Sequence, residues 1–264
     1  MKHVIRDVFI FLFDALYVSA LYRAVVHRNR PLVRIIAFHD VQDEEWFPQV
    51  IGMCVENYNV ITPADFHQQN FHPQKINILL TFDDGYQSWI DICVPVLKRY
   101  NLRGLFFVNS GLLDISDSPT QVAAYMREHL LISPKVPLTW EGAQTLVQEG
   151  HTIGGHSVNH YNLAVLGQHD LEREIIDDKK KIEAKLSTII VDFAYPFGQK
   201  KHRSTKVLQL LRHAGYSSVY TAETGFAEGL EDEIPRMCIE KNQPVSQVQR
   251  WVEGGYDLFR FFGT

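Results

Sequence analysis

Short apolar runs that end in polar or turn-forming residues are the feature that most constrains the fold of this chain. The clearest runs cover residues 33–38, 75–82, 104–109 and 189–194. His39 and Asp40 follow the first run, and Asp83, Asp84 and Gly85 follow the second. Such runs are typical of strands that are buried on both faces of a parallel sheet. The sequence therefore predicts parallel strands that carry polar groups at their carboxyl ends.

Helical patterns separate these runs, at residues 89–100, 139–148, 171–186 and 245–253. Pro95 either kinks the first of these helices or opens a new first turn. Thr139 is a candidate N-cap of the second helix, and Gly150 is a candidate terminator of it. Alternating strands and helices predict either a barrel or an open wound sheet. In both folds the chemistry lies at the carboxyl ends of the strands.

Length and composition exclude some classes of protein. The chain has 264 residues, 45% of them hydrophobic, which suits one large α/β domain. Its formal net charge of -5 argues against a general nucleic-acid binder, because such proteins usually carry a basic excess. The three cysteines are odd in number and far apart, so they outline neither a disulfide framework nor a metal knuckle. We expect buried free thiols.

The N-terminal segment departs from this globular composition. Residues 8–22 are apolar or aromatic apart from Asp14 and Ser19, and several arginines follow. Asp14 argues against a membrane-spanning helix. Three interpretations stay open: an interfacial helix that meets anionic headgroups, an atypical signal peptide, and a helix packed on its own domain. We therefore divide the chain into an N-terminal helix, 1–30, and a second unit, 31–264.

Two short clusters of polar residues carry the chemistry. His156 and His160 are four residues apart, which on a helical turn places both imidazoles on one side, where they can bind one ion. With 12 histidines in the chain, this pair alone is a weak signal. Asp83 and Asp84 are adjacent, and a turn at Gly85 would aim both carboxylates into the same cleft. A loop with a helix-capping aspartate is the alternative interpretation.

Three motifs give the chain a specific resemblance. They are Thr81-Phe82-Asp83-Asp84-Gly85, His156-Ser157-Val158-Asn159-His160 and Tyr195-Pro196-Phe197-Gly198. Together, and in this order, they resemble the signatures of the polysaccharide deacetylase (NodB-homology) family, and the likeness extends over residues 34–254. The resemblance implies an α/β fold, a distorted (β/α) barrel of the NodB type, here with an N-terminal helix. On the family pattern, residues 111–137 look like an insertion that either forms a specificity-shaping lid or only covers the barrel.

The resemblance also implies roles for the polar clusters. Asp83 corresponds to the catalytic base of the family, and Asp84, His156 and His160 correspond to the ligands of a divalent metal, usually zinc. Two imidazoles and one carboxylate are also a plausible catalytic zinc set on chemical grounds, because they leave a position for water or substrate. We therefore expect a divalent metal cofactor, with zinc favoured.

The reaction implied by the family is hydrolysis of the N-acetyl group of an amino sugar in a polysaccharide, oligosaccharide or glycolipid. Tyr195, Pro196 and Phe197 would contact the substrate, and the backbone N–H of Phe197 would stabilise the oxyanion. Trp140 is a further candidate for an apolar face. If the N-terminal helix lies on a membrane, a lipid-linked saccharide used in envelope polysaccharide synthesis is the expected partner.

The chain departs from the family pattern at two positions. Ala194 stands where fuller third motifs carry the arginine that orients the base, and Arg236 is our candidate replacement. The alternative is that Arg236 is a surface residue after a proline turn. The late Leu-x-His that supplies the general acid is not evident. His39 is a candidate for the catalytic site, and a buried structural histidine is the alternative.

These departures keep other functions open. One is a non-catalytic saccharide-binding relative, and another is a metal hydrolase of a different amide or ester. We expect a cytoplasmic protein, peripheral on the inner face of the membrane if its N-terminal helix is interfacial. Export through an atypical signal is the alternative location. The sugar, its linkage, the oligomeric state and the general acid are not determined by these motifs.

Overall fold

The computed structural model describes residues 30–229, 231–240, 243–255 and 257. The predicted N-terminal helix and its membrane contact lie outside the described residues. Within the described part of the chain, no helix is both long enough and apolar enough to cross a membrane.

Eight parallel strands form one sheet in the described residues. They are β1 (Val33–Phe38), β2 (Asn59–Ile61), β3 (Asn77–Phe82), β4 (Leu105–Val108), β5 (Thr152–Gly155), β6 (Asp192–Ala194), β7 (Ser218–Tyr220) and β8 (Met237–Cys238). The order across the sheet is β7-β6-β5-β4-β3-β1-β8, and β2 also pairs with β3. β3 therefore has β1 on one side, and on the other side β2 along its first half and β4 along its second half.

The sheet curls until its two ends meet. Ile234, just before β8, forms a parallel bridge with Tyr220 at the end of β7. The Ile234 N–H donates to Val219 at 2.7 Å, and its carbonyl accepts from the Thr221 N–H at 2.8 Å. Since β8 pairs with β1 on its other side, this segment closes the sheet. The predicted distorted (β/α) barrel is confirmed.

Helices surround the barrel. The α-helices of the described residues are α1 (Trp46–Asn57), α2 (Pro63–His67), α3 (Val94–Arg99), α4 (Ser110–Asp114), α5 (Pro119–Tyr125), α6 (Trp140–Gln148), α7 (Gln168–Glu172), α8 (Asp178–Leu186), α9 (Thr205–His213) and α10 (Val245–Val252). Wider π-helical turns at Trp89–Cys93, Met126–Leu130 and Arg173–Asp177 precede α3, follow α5 and join α7 to α8. Short 3-10 turns lie at Leu163–Val165 and Lys200–His202.

Alternate residues of each strand face different cores. Ile35 and Leu79 point into a small core inside the barrel, whereas Ile36 and Leu80 point into a larger core under the helices. This alternation follows from the two-residue period of a strand. It explains why the strands read as continuous apolar runs, and it directs Asp83, two residues after Thr81, toward the barrel axis.

Local signals in the sequence predicted several of these elements. β1 begins and ends where expected, and Pro95 lies in the first turn of α3. The Thr139 hydroxyl accepts a hydrogen bond from the Gly142 N–H at 3.0 Å, as expected of an N-cap, and Gly150 has φ 83°. The predicted helix over residues 171–186 is interrupted by a π-helical turn. α1, α2 and β2 were not predicted.

Candidate active site

A cavity of about 910 Å³ opens at the carboxyl ends of the strands. Its wall includes eight of the nine predicted site residues, namely His39, Asp83, Asp84, His156, His160, Tyr195, Phe197 and Arg236. Pro196 is not part of the described wall. Residues from distant parts of the sequence are thus brought to one place by the parallel strand ends, as the fold predicts.

Asp84, His156 and His160 form the group that can hold a metal ion. Nε2 of His156 lies 3.4 Å from Oδ1 of Asp84, and Nε2 of His160 lies 3.6 Å from the same atom. All three side chains are buried. One ligand atom from each residue lies within 4.8 Å of the others.

The hydrogen bonds around this group leave its ligand atoms free. Nδ1 of His156 bonds to the Ala194 carbonyl at 2.8 Å, and Nδ1 of His160 bonds to the His129 carbonyl at 3.2 Å. Each Nδ1 therefore carries a hydrogen, and each Nε2 is the ring nitrogen that faces Asp84. Burial lowers the pKa of His160 to about 4, so this imidazole is neutral at neutral pH.

The aspartate provides a direct test of fit. Oδ2 of Asp84 accepts a hydrogen bond from the Tyr86 hydroxyl at 2.8 Å, but Oδ1 is buried without a hydrogen-bond partner in the described residues. Buried carboxylate oxygens are rarely left unpaired. A cation between Oδ1 and the two Nε2 atoms would satisfy it, so these residues fit a divalent metal.

Strained backbone shapes this group. Asp84, Ser157, His160 and Phe197 all have left-handed φ, at 85°, 65°, 54° and 61°. Such conformations cost free energy in non-glycine residues and cluster at functional sites. Gly85, where a turn was predicted, has φ 106°, and Asp84 beside it adopts a positive φ as well.

The predicted helical turn between the two histidines is wrong. Residues 156–160 form a loop after β5, outside any helix. The left-handed residues Ser157 and His160 turn the chain back, and the Ser157 hydroxyl accepts a hydrogen bond from the His160 N–H at 3.0 Å. The loop, rather than helical periodicity, places both imidazoles beside Asp84.

Asp83 pairs with Arg236 inside the barrel. Nη1 and Nη2 of Arg236 donate to the two carboxylate oxygens of Asp83, each at 2.7 Å. Burial by itself would raise the pKa of Asp83, but the charges of Arg236 and His156 and the hydrogen bonds from Arg236 together hold this pKa below its ordinary value. Asp83 is therefore ionised at neutral pH. The alternative of a surface arginine is wrong, because Arg236 is 1% exposed.

The remaining contacts of Arg236 fix its orientation. Its Nε donates to the Thr221 carbonyl at 2.9 Å, and Nη1 also donates to the Thr81 hydroxyl at 3.2 Å. Its guanidinium lies 5.1 Å from the centre of the Phe107 ring. These contacts fix the guanidinium of Arg236, and its two hydrogen bonds to Asp83 in turn fix the orientation of that carboxylate.

His39 and Cys238 lie on adjacent strand ends of the cavity wall. His39 is exposed, so the alternative of a buried structural histidine is wrong. Cys54 and Cys93 are buried free thiols, as expected. Cys238 is a half-buried free thiol that lines the cavity. Burial raises the pKa of Cys238 to about 11, so it remains a protonated thiol.

The third motif presents one accessible aromatic ring. Phe197 is 36% exposed and packs against His160 at 4.6 Å between ring centres, whereas Tyr195 is buried. The Gly198 N–H donates to the Pro196 carbonyl at 2.7 Å, which makes Phe197 the centre of a tight γ-turn. Trp140 instead donates to Asp114 and lies outside the described cavity wall.

Part of the wall was not predicted from the sequence. Leu130, Ile132, Ser133 and Lys135 come from the segment 111–137 and line the cavity. This segment therefore shapes the site rather than only covering the barrel. No sequence pattern indicates that the His129 carbonyl of this segment accepts from His160. Tyr86, which donates to Asp84, could have been proposed because it lies two residues after Asp84 of the first motif.

Comparison with known proteins relates this chain to one family. A family model described as polysaccharide deacetylase matches residues 72–219. The chain is 27% identical over 173 residues to "Putative polysaccharide deacetylase YxkH" of Bacillus subtilis (strain 168), covering 64% of this chain and 54% of that protein. It is 25% identical over 123 residues to an uncharacterized 30.6 kDa protein of Geobacillus stearothermophilus, covering 45% of this chain and 38% of that one. The chain thus spans about half, or less, of the curated relatives it matches.

Solved structures share the fold. The deacetylase PplD of Streptococcus pyogenes, determined with acetate, superposes with a TM-score of 0.65 at 21% identity, covering 85% of this chain and 98% of that one. IcaB from Ammonifex degensii superposes with a TM-score of 0.67 at 21% identity, covering 86% and 99%.

Proposed function

The protein belongs to the polysaccharide deacetylase family, and from this premise we propose that it is a metal-dependent hydrolase that removes the N-acetyl group of an amino sugar. One observation carries the proposal. The adjacent carboxylates Asp83 and Asp84 serve different partners in the same cavity, a buried arginine for one and two imidazoles for the other. A saccharide-binding module has no need of both arrangements.

Asp84, His156 and His160 would hold the metal, and zinc is favoured by their nitrogen and oxygen donors. A divalent ion bound there supplies the Lewis acidity that activates water and the acetamide carbonyl. The Nδ1 hydrogen bonds of the two histidines keep their rings oriented for this task.

Asp83 would act as the general base and take a proton from the attacking water. Its low pKa makes it a weak base, but Arg236 keeps it ionised and correctly oriented. The tetrahedral oxyanion needs donors, and the Phe197 N–H makes no hydrogen bond within the described residues. This free N–H supports its role as an oxyanion donor.

His39 would protonate the departing sugar nitrogen. Three histidines line the described cavity wall, and His39 is the one that is not a proposed metal ligand. Its exposure allows it to exchange protons with solvent between turnovers. An imidazole can both donate and accept a proton, which suits a group that must donate a proton and then recover it.

The substrate would be an N-acetylated saccharide. A cavity of about 910 Å³ is at the upper end of small-molecule sites, so it can enclose one sugar ring and part of a neighbour. Phe197 would contact the apolar face of the sugar ring, and the Pro196 carbonyl closes the γ-turn around Phe197. Tyr195 would line the same cavity. A lipid-linked saccharide of the cell envelope, met at the inner membrane face, is supported by the apolar residues 8–22 and the arginines that follow.

Acetate release from a panel of N-acetylated oligosaccharides and lipid-linked sugars tests this proposal, with zinc-loaded wild type beside Asp83→Asn. We expect zinc-dependent release that chelation abolishes and Asp83→Asn removes. Silence across the panel from a protein that does bind zinc would favour the saccharide-binding relative instead.

A further inference from the structure

The loop between the two metal-binding histidines does not keep its shape through its own backbone preference. Ser157 and His160 are both left-handed, and neither is a glycine. Such a conformation persists only where surrounding contacts hold it. Whatever holds residues 157–160 therefore also sets the distance between the two imidazoles.

One side of this loop is held through its carbonyl groups. The Val158 carbonyl accepts from the Gly111 N–H at 3.0 Å and from the Tyr125 hydroxyl at 3.1 Å. The Asn109 side chain donates to the Ser157 carbonyl at 3.1 Å. All three donors precede β5 in the chain, and none of them offers an acceptor to the N–H groups of the loop.

Glu174 supplies acceptors from the opposite side. Its Oε2 accepts from the Asn159 backbone N–H at 2.7 Å, and its Oε1 accepts from the Asn159 side-chain amide at 2.7 Å. One residue in the middle of the loop is thus held at both its backbone and its side chain. Both distances lie at the short end of the range for N–H···O hydrogen bonds.

The surroundings of Glu174 make its two hydrogen bonds to Asn159 necessary. Its side chain is fully buried, and among the described ion pairs none joins it to a lysine or arginine. A buried carboxylate is costly unless hydrogen bonds satisfy it. The two bonds to Asn159 provide that satisfaction, so the position is explained by the loop rather than by packing.

The helix that carries Glu174 is itself irregular at this point. Glu174 lies in the π-helical turn Arg173–Asp177 between α7 and α8. A π-helical turn adds a residue to an α-helical run and is frequent at functional sites. It redirects Glu174 toward Asn159, while the next residue, Ile175, remains in the core under the helices.

We infer that Glu174 is a positioning residue that sets the geometry of the metal site through Asn159. This inference rests on the proposed function, since it takes Asp84, His156 and His160 as metal ligands. Glu174 holds Asn159, and Asn159 holds the backbone between the two histidines. Without Glu174 the left-handed loop relaxes, the two Nε2 atoms move apart, and the metal binds more weakly.

The pairing can be broken and rebuilt by exchanging donors and acceptors. Asn159→Asp places a carboxylate against the Glu174 carboxylate, so the two repel. Glu174→Gln alone keeps an acceptor for the backbone N–H, and the Asn159 amide can turn to accept from the new NH2 group. The double variant Glu174→Gln/Asn159→Asp again pairs a donor with an acceptor.

The experiment measures the zinc dissociation constant of the full chain by competition with a chromogenic chelator, beside the melting temperature of the metal-free protein. We expect Glu174→Ala and Asn159→Asp to weaken zinc binding about 10- to 100-fold. Glu174→Gln should lose less, and the double variant should recover most of the loss caused by Asn159→Asp. Glu172→Gln, at an exposed glutamate two residues away, is the matched control and should bind as wild type does.

A merely structural role would look different. If Glu174→Ala or Asn159→Asp melted at a lower temperature but bound zinc like wild type, the inference would be wrong. If Glu174→Ala did not fold, equal zinc affinities of Asn159→Asp and the double variant would overturn it. A wild-type chain that binds zinc but releases no acetate contradicts the proposed function alone, whereas one that binds no divalent ion overturns both.

Discussion

Arg236 and Asp83, 153 residues apart, share two hydrogen bonds of 2.7 Å in the interior of the barrel. The arginine comes from the segment that closes the sheet between β7 and β1, and the aspartate follows β3. The third motif has Ala194 where an arginine would be expected. Arg236, from the segment before β8, thus reaches the Asp83 carboxylate instead. The curvature of the barrel allows this contact.

Arg236→Lys tests whether Arg236 performs the role of the arginine that is absent at position 194. Lysine keeps the charge but cannot form the two-pronged contact. Losing a hydrogen bond to a charged group costs about 1.5–3 kcal/mol, which corresponds to roughly a 10- to 100-fold fall in kcat. Steady-state acetate release measures this, and we expect KM to change less than kcat. Arg203→Lys, at an arginine that pairs with Glu223 and Glu233 away from the described cavity wall, should leave both constants unchanged.

Tyr86→Phe tests the support of Asp84, the proposed metal-binding aspartate. The substitution removes the hydroxyl that donates to Oδ2 of Asp84 and leaves that buried oxygen without its donor. We expect zinc binding to weaken about tenfold or more, because hydrogen bonds to metal ligands tune their orientation. Chelator competition measures the change. Tyr100→Phe removes the same atom from a tyrosine at the end of α3, and a similar loss there would contradict the prediction.

Gly111→Ala tests how closely the chain must approach the histidine loop. A Cβ at Gly111 would lie 2.5 Å from the Val158 carbonyl oxygen and 2.9 Å from Oδ1 of Asn159, so the loop must move. We expect weaker zinc binding and a loss of stability of about 1–3 kcal/mol. Gly167→Ala is the control, since nothing lies within 4 Å of a Cβ there. Zinc titration and thermal melting of both variants decide the matter.

Asp178→Asn tests a pH dependence of stability. Burial raises the pKa of Asp178 from 3.8 to about 7. Between these values the folded chain binds a proton that the unfolded chain does not, so the free energy of unfolding falls as pH rises from about 4 to about 7. Within that window, a rise of one pH unit lowers the free energy of unfolding by about 1.4 kcal/mol at most.

The asparagine side chain is uncharged at every pH, so the variant should lack this decline in the free energy of unfolding. We expect metal-free Asp178→Asn to melt above wild type at pH 8 and close to it at pH 4. Asp177→Asn, at an exposed neighbour, should follow wild type across the range. Parallel melting curves for Asp178→Asn and wild type would show that Asp178 does not titrate in this window.

Local sequence patterns were sufficient for most of the framework. β1 could be placed from its apolar run, and α6 could be placed from its capping residues Thr139 and Gly150, because such signals act over a few residues. The three motifs located Asp83, Asp84, His156 and His160 because their spacing within each motif is short and characteristic. The order of strands and helices then predicted that these residues would meet at the carboxyl ends.

The tertiary structure alone decided which distant groups complete the site. Whether Arg236 faces solvent or Asp83 depends on how the segment before β8 closes the barrel, and a pattern along the chain does not contain that closure. The same holds for the His129 carbonyl behind His160 and for Glu174 beside Asn159. These partners are set by strand register, backbone conformation and helix packing, which are properties of the whole fold. The sequence by itself determined the chemical groups of the site, and three-dimensional packing determined how those groups are held and oriented.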